Sequence, residues 1–161
     1  MELQRFDPSA ENIALITKLI NTQGKEVCQN KIDMDYIKHN MSTHSFGYVS
    51  MTQKAQIGRR SIKNDNDKYT VNGFVICRIN PAMPRLARIE LVCSRPTSRI
   101  GKLLMEVAED ECLSLGTVSL IQLLSLDNNK LINWYKSMGY VADTISVWDG
   151  KPKGALMSKF L

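Results

Sequence analysis

The stretch from Arg88 to Gly139 constrains the fold more than any other part of the chain. Arg88 to Ser94 reads as a strand. A short turn, Arg95 to Arg99, then leads into a helical pattern with Ile100, Leu103, Leu104, Val107, Ala108 and Leu115 on one face. Lys102, Glu106, Glu109 and Asp110 fall on the other face, and Gly116 stands where the helix should end. Val118 to Leu126 interrupts its apolar run only at Ser119, Gln122 and Ser125, as expected of a strand covered on both sides. A strand, a helix and a second strand in this order form a crossover, which places the chain among α/β folds.

The flanking segments extend that sheet. Glu2 to Phe6 reads as a strand, and Asp7-Pro8 as a helix start followed by the stripe Ile13, Ile16, Leu19 and Ile20. A second helix is expected from Met34 to Met41. Ser45 to Thr52 and Tyr69 to Ile79 read as strands on either side of a charged loop, Lys54 to Lys68. Asn80, Pro81 and Pro84 separate Tyr69–Ile79 from Arg88–Ser94 by a short turn, so those two strands should be antiparallel. Asn129 to Met138 is a helix stopped by Gly139, and Tyr140 to Trp148 and Ala155 to Phe160 are final strands. The expected fold is a mixed, mostly antiparallel central sheet with helices on both faces, one domain spanning residues 1–161.

Other classes find little support. No run approaches the roughly 18 apolar residues of a membrane span, and no basic-then-apolar leader opens the sequence. The net charge is +5, but its densest group, Lys54, Arg59, Arg60 and Lys63, lacks aromatic interleaving and reads as a solvated loop rather than a nucleic-acid surface. Two histidines, His39 and His44, do not suggest a metal site. Cys28, Cys77, Cys93 and Cys112 are far apart and mostly apolar in context, which suggests thiols in a reducing, cytoplasmic setting.

Two segments carry chemistry. The turn before Ile100-Gly101-Lys102 presents free backbone N–H groups and a helix dipole, a place that suits a pyrophosphate. Gly101 would let backbone approach a phosphate without an intervening Cβ. The second segment is Asn128 to Tyr140, where Asn128 and Tyr135 lie two helical turns apart on one face. Read alone, Tyr135 is a half-buried core aromatic rather than a catalyst.

Together the two segments resemble the GNAT superfamily of acyl-CoA-dependent N-acyltransferases. That family has a Q/R-x-x-G-x-G/A turn after a strand, and later a helix of pattern N-x-x-A-x-x-x-Y-x-x-x-G-F. Asn128, Leu131, Tyr135, Gly139 and Tyr140 keep the second spacing. The first motif departs from it: counted from Gly101, Pro96 stands at the Q/R position and Arg99 at the first Gly. The resemblance implies acetyl-CoA as cosubstrate and an amine acceptor, either a small amine or polyamine or a protein Lys or N-terminus. It implies that backbone of Val92, Cys93 and Ser94 pairs with the pantetheine arm. Arg95, Ser98, Arg99, Ile100, Gly101, Lys102 and Leu103 would hold the pyrophosphate. Asn128 would bond the pantetheine, and Tyr135 would protonate the leaving thiolate. Basic charge suits a ligand bearing phosphates.

Some family members carry a Glu base five residues before the motif Asn; here that position is Leu123. Glu90 is the substitute, its plainer alternative being a surface carboxylate paired with Arg88. Cys93 reads as an inert thiol rather than an acyl carrier. Glu26, Asp33, Asp35 and Glu90 could line a polyamine site. A CoA-binding or regulatory module with little catalysis is the alternative function, and a homodimer stays open.

Overall fold

The structure is a computed structural model, and it describes residues 1–7, 9, 11–14, 17–18, 44–53, 69–95, 99–126, 128–148 and 151–161. Seven strands form one sheet: β1 (Glu2–Phe6), β2 (Ser45–Gln53), β3 (Tyr69–Asn80), β4 (Met83–Ser94), β5 (Leu120–Leu126), β6 (Val141–Trp148) and β7 (Lys151–Phe160). Helix α1 (Ile100–Ser114) joins β4 to β5, and α2 (Asn129–Ser137) joins β5 to β6. The spatial order is β1-β2-β3-β4-β5-β7-β6. All neighbours are antiparallel except β4 and β5, which the α1 crossover makes parallel. The mixed sheet is as expected. The expected second helix, Met34 to Met41, the loop Lys54 to Lys68 and its basic cluster, Cys28 and His39 lie outside the described residues.

Strand alternation divides the apolar side chains between two cores. Val75, Cys77, Ala87, Ile89, Ile121, Leu123, Ala155 and Met157 face α1 and α2, and Tyr135 and Tyr140 join them. Phe6, Val49, Met51, Val71, Phe74 and Ile76 face the other way, where Ile13 of the helical residues 11–14 packs on them. Helices therefore cover both faces, but not evenly. On β5, Leu124 and Leu126 are 61% and 64% exposed, so the expectation that this strand is covered on both sides fails for its last turn. The strand also begins at Leu120 rather than Val118.

Helix α1 buries Ile100, Gly101, Leu104, Met105, Ala108 and Cys112. The set follows spacings of four, so Met105 and Cys112 take the core positions expected of Leu103 and Val107. Leu115 is exposed because it is the C-cap, just past the last helical turn. Positive φ at Gly116 and Gly139, +70° and +91°, turns the chain out of the two helices without a Cβ penalty. Cys77 and Cys112 are free and buried with sulfurs 3.7 Å apart, and that contact, with burial, pushes the Cys77 thiol upward. Cys93 instead is disulfide-bonded, which departs from the expectation of free thiols throughout.

Two carboxylates tie α1 to the sheet. Glu111 accepts from Arg5 at 2.6 Å and from Tyr48 at 2.5 Å, joining β1 and β2 to the helix. Glu109 accepts from Tyr140 at 2.9 Å and from Lys159 at 2.6 Å, joining β7 and the start of β6. Burial pushes the Glu111 carboxyl up, but the Arg5 and Tyr48 hydrogen bonds and the Arg5 charge outweigh it and hold it below 4.5. A carboxyl lowered on folding adds stability above its unfolded pKa and loses it as pH falls through the folded one. Glu111→Gln should therefore cost about 1–3 kcal/mol at neutral pH. In parallel urea titrations the gap from the parent should be full above pH 4.5 and shrink below it.

Candidate active site

The site starts where β4 and β5 part. They pair from Leu86 with Leu120 to Ile89 with Leu123 and no further. Beyond that point β4 continues to Ser94 against β3, while Leu124, Ser125 and Leu126 of β5 continue against β7. The facing edges of residues 90–94 and 124–126 thus have no ladder partner among the described residues. A β-bulge sits at the fork: Ile76 is opposite Leu91 and Cys77 opposite Ile89, leaving Glu90 as the extra residue. An extra residue bends its strand and raises the local twist, which carries β4 away from β5.

Val92, Cys93 and Ser94 lie on that open stretch, all half-buried. Val92 packs against the α1–α2 core and Cys93 against the opposite core. Arg95 follows them, its backbone N–H bonded to Asn72 O at 3.1 Å. Ser98 falls outside the described residues. Arg99 occupies the N-cap position of α1 and supplies no side-chain cap, and the helix has no acidic residue in its first turn. The backbone N–H groups of Ile100, Gly101 and Lys102 thus sit at an uncapped, positively polarised end. Lys102 is exposed and loosely paired with Glu106 at 3.6 Å; Leu103 is half-buried.

Gly101 has a packing reason that the sequence did not reveal. A Cβ there would lie 2.5 Å from Ser94 Oγ and 3.3 Å from Trp134 Cζ2. The close approach made by this glycine is to the end of β4 and to α2, and Trp134 went unremarked in the sequence although it directly precedes Tyr135.

Asn128 caps α2: its Oδ1 accepts from the backbone of Lys130 at 2.9 Å and Leu131 at 3.3 Å. Its side-chain NH2 has no bond of its own among the described residues. Tyr135 is 5% exposed, with its ring 4.8 Å from Trp134 and 6.0 Å from Tyr140. Its hydroxyl makes no hydrogen bond among the described residues, and burial pushes the phenol up to about 12. Glu90 shares its face with Arg78, whose Nη2 lies 2.8 Å from Glu90 Oε1. The expected partner was Arg88; the bulge and the β3 register bring Arg78 to the carboxylate instead. Of the other acidic residues considered, Glu26, Asp33 and Asp35 lie outside the described residues. A separate concavity of about 450 Å³, lined by Tyr48, Val107, Asp110, Glu111, Ser114 and Leu115, opens near the far end of α1.

No family model and no curated protein sequence matches the chain. Solved structures do. The ribosomal-protein-S18-alanine N-acetyltransferase of Escherichia coli superposes with a TM-score of 0.67 at 15% identity, over 99% of this chain and 94% of the other. An aminoglycoside 6'-N-acetyltransferase complexed with coenzyme A gives 0.65 at 13% identity, over 99% and 97%. A Desulfovibrio desulfuricans protein described as a GNAT-family acetyltransferase gives 0.64 at 12% identity, over 99% and 97%. The fold is that of the GNAT acyl-CoA N-acyltransferases. No helix among the described residues is long and apolar enough to cross a membrane.

Crowding at the α1 start yields a stability test. Gly101→Leu should cost about 1–3 kcal/mol in urea unfolding by displacing Ser94 and Trp134. Gly101→Ala sets helix propensity against that crowding. It should be more favourable by about 1 kcal/mol in a Ser94→Ala background than in the parent. Simple additivity would mean that the contact is relieved without cost.

Proposed function

We propose that the chain is an N-acetyltransferase of the GNAT family that moves the acetyl group of acetyl-CoA to an amine. The observation that carries this reading is the unpaired β4 edge opening beside the uncapped start of α1 and the buried Tyr135. An extended pantetheine amide chain is suited to the free edge at Val92, Cys93 and Ser94, as an added strand would be. The pyrophosphate is suited to the first-turn N–H groups of α1, with Arg95, Arg99 and Lys102 adding positive charge and Ser98 a hydroxyl donor. Asn128 keeps its Nδ2 donor for a pantetheine carbonyl while Oδ1 holds the helix. A CoA-binding or regulatory module with little catalysis is the second reading, favoured by the altered first motif and by Leu123 at the position of the family's Glu.

In the reaction, the acceptor nitrogen attacks the thioester carbonyl carbon and the carbonyl electrons move to oxygen. A backbone N–H near Val92 or Cys93 steadies that charge. The C–S bond then breaks as the C=O re-forms. The nitrogen gives up a proton to Glu90, directly or through water, and the sulfur takes one from Tyr135. The products are the amide and free CoA. Glu90 Oε1 forms an ion pair with Arg78 at 2.8 Å but accepts no hydrogen bond, which leaves it able to take a proton. The disulfide at Cys93 removes it as an acyl carrier.

Acetyl-CoA should raise the melting temperature, because a ligand of the native state stabilises by mass action. Absence of binding in calorimetry at millimolar ligand would sink the reading. Tyr135→Phe keeps the ring and its packing. It should lower turnover by about 10²–10⁴-fold with acetyl-CoA affinity nearly unchanged. Turnover within about threefold of the parent, with chemistry rate-limiting, would reject the acid role. With the phenol at about 12, parent activity should show no loss assignable to Tyr135 up to pH ~10.

A further inference from the structure

On the sheet face turned away from α1 and α2, a row of polar residues crosses the strands in register. Arg78 of β3 stands opposite Arg88 of β4, Arg88 opposite Gln122 of β5, and Gln122 opposite Ser158 of β7. Alternation fixes the face: Phe74 and Ile76, preceding Arg78 by four and two, belong to the core on that side. Ile89, Leu123 and Met157, the intervening neighbours, belong to the core on the other. At one end the row is satisfied. Gln122 Nε2 donates to Ser158 Oγ at 3.4 Å, and Ser158 Oγ donates to Asp143 Oδ2.

The other end is not. Arg78 has Glu90 at 2.8 Å, but Arg88, half-buried, has no hydrogen-bond or ion-pair partner among the described residues. Directly opposed side chains sit about 5 Å apart at Cβ, where like charges repel. Two guanidiniums therefore stand in register beside the fork of β4 and β5, and of the two only Arg78 pairs with the Glu90 carboxylate. A half-buried guanidinium lacking a counter-charge is favoured by an anion, and its planar fork matches carboxylate or phosphate.

We propose that the acceptor amine carries an anionic group, carboxylate or phosphate, which Arg88 grips while the amine reaches the bulge at Glu90. This rests on the acetyl-transfer reading and names the substrate class for it. Arg88 and Glu90 are two residues apart along β4, about 7 Å, so the anionic group is separated from the amine by several bonds. A polyamine would set its distal ammonium against Arg88.

The test uses the whole chain. Acetyl-CoA binding is measured first by calorimetry. CoA release is then followed with 4-aminobutanoate, 3-aminopropyl phosphate, 4-aminobutanamide and 1,4-diaminobutane, for the parent, Arg88→Gln and Arg88→Lys. In the parent at least one anionic amine should exceed the neutral amide in kcat/KM by about tenfold or more, since a charge-reading site rejects the analogue lacking the charge. That ratio should fall to within about twofold in Arg88→Gln and lie between in Arg88→Lys, which keeps charge without the fork, at unchanged acetyl-CoA affinity. The better anionic amine tells carboxylate from phosphate. Equal or better use of the amide or the diamine overturns the proposal. So does an anion preference that survives Arg88→Gln, or no transfer to any of these amines by a chain that binds acetyl-CoA. If Arg88→Gln fails to fold, Arg88→Lys decides by the same ratio. Failure to bind acetyl-CoA removes the underlying reading, and the proposal falls with it, so the two failures are told apart.

Discussion

The parallel pairing of β4 with β5 stops after Ile89 and Leu123, and the arrangement of the site follows from that stop. A backbone N–H or C=O left without a partner in a dry place costs about 1–3 kcal/mol. Leu126 O is met by Asn128 N and Ser125 Oγ, while the other edge groups of residues 90–94 and 124–125 have no ladder partner among the described residues and suit water or an extended ligand. The fork is kept open from both sides. β5 commits its last residues to β7. The end of β4 is committed to β3 and, through Ser94, to the start of α1 at Gly101. The glycine thus lets α1 start close against the end of β4.

The same residues serve folding and the proposed chemistry. Asn128 Oδ1 stabilises α2 by capping, worth about 1 kcal/mol, which orients the first turn of the helix that carries Tyr135. Tyr140, one turn beyond Tyr135, hydrogen-bonds Glu109 of α1, and Lys159 of β7 meets the same carboxylate. Burial, with the nearby Glu109 charge, pushes the Tyr140 phenol well above its ordinary range, so it stays a neutral donor. That bond locks α2's exit to α1, while Trp134 locks its middle to α1's entrance. Both contacts bear on where Tyr135 stands relative to the helix start, on which the proposed chemistry depends.

Much of this was legible in the sequence, because period and punctuation decide local structure. The strand–helix–strand order, the glycines that end α1 and α2, and the hairpin between β3 and β4 all read directly. What could not be read depended on register. Strict alternation would put Ala87, Ile89, Leu91 and Cys93 on one face. The bulge at Glu90 divides them between two cores, and nothing in the local residue types announces it. The partner of Glu90 was misread for the same reason. The α1 stripe was off by part of a turn at Leu103 and Val107, since Leu, Val and Met serve equally in a core. Leu124 and Leu126 are exposed because no described element covers that face, which no local pattern encodes.

In the proposed role of Tyr135 as acid, geometry and acidity must be weighed together. A phenol at about 12 holds its proton more tightly than an ordinary thiol, near 8.5, so complete transfer in water would run uphill by about 5 kcal/mol. Two features reduce that gap in the cleft. The desolvation that raises the phenol also raises a thiolate beside it, so the two move together. The hydroxyl, having no hydrogen-bond partner among the described residues, need not break a bond to donate one. In the proposed reaction its hydrogen bond would strengthen only as charge gathers on sulfur, which would stabilise the transition state more than the ground state. A more acidic residue in that position would ionise and repel a thiolate, whereas the buried phenol stays neutral, as the proposed acid role requires.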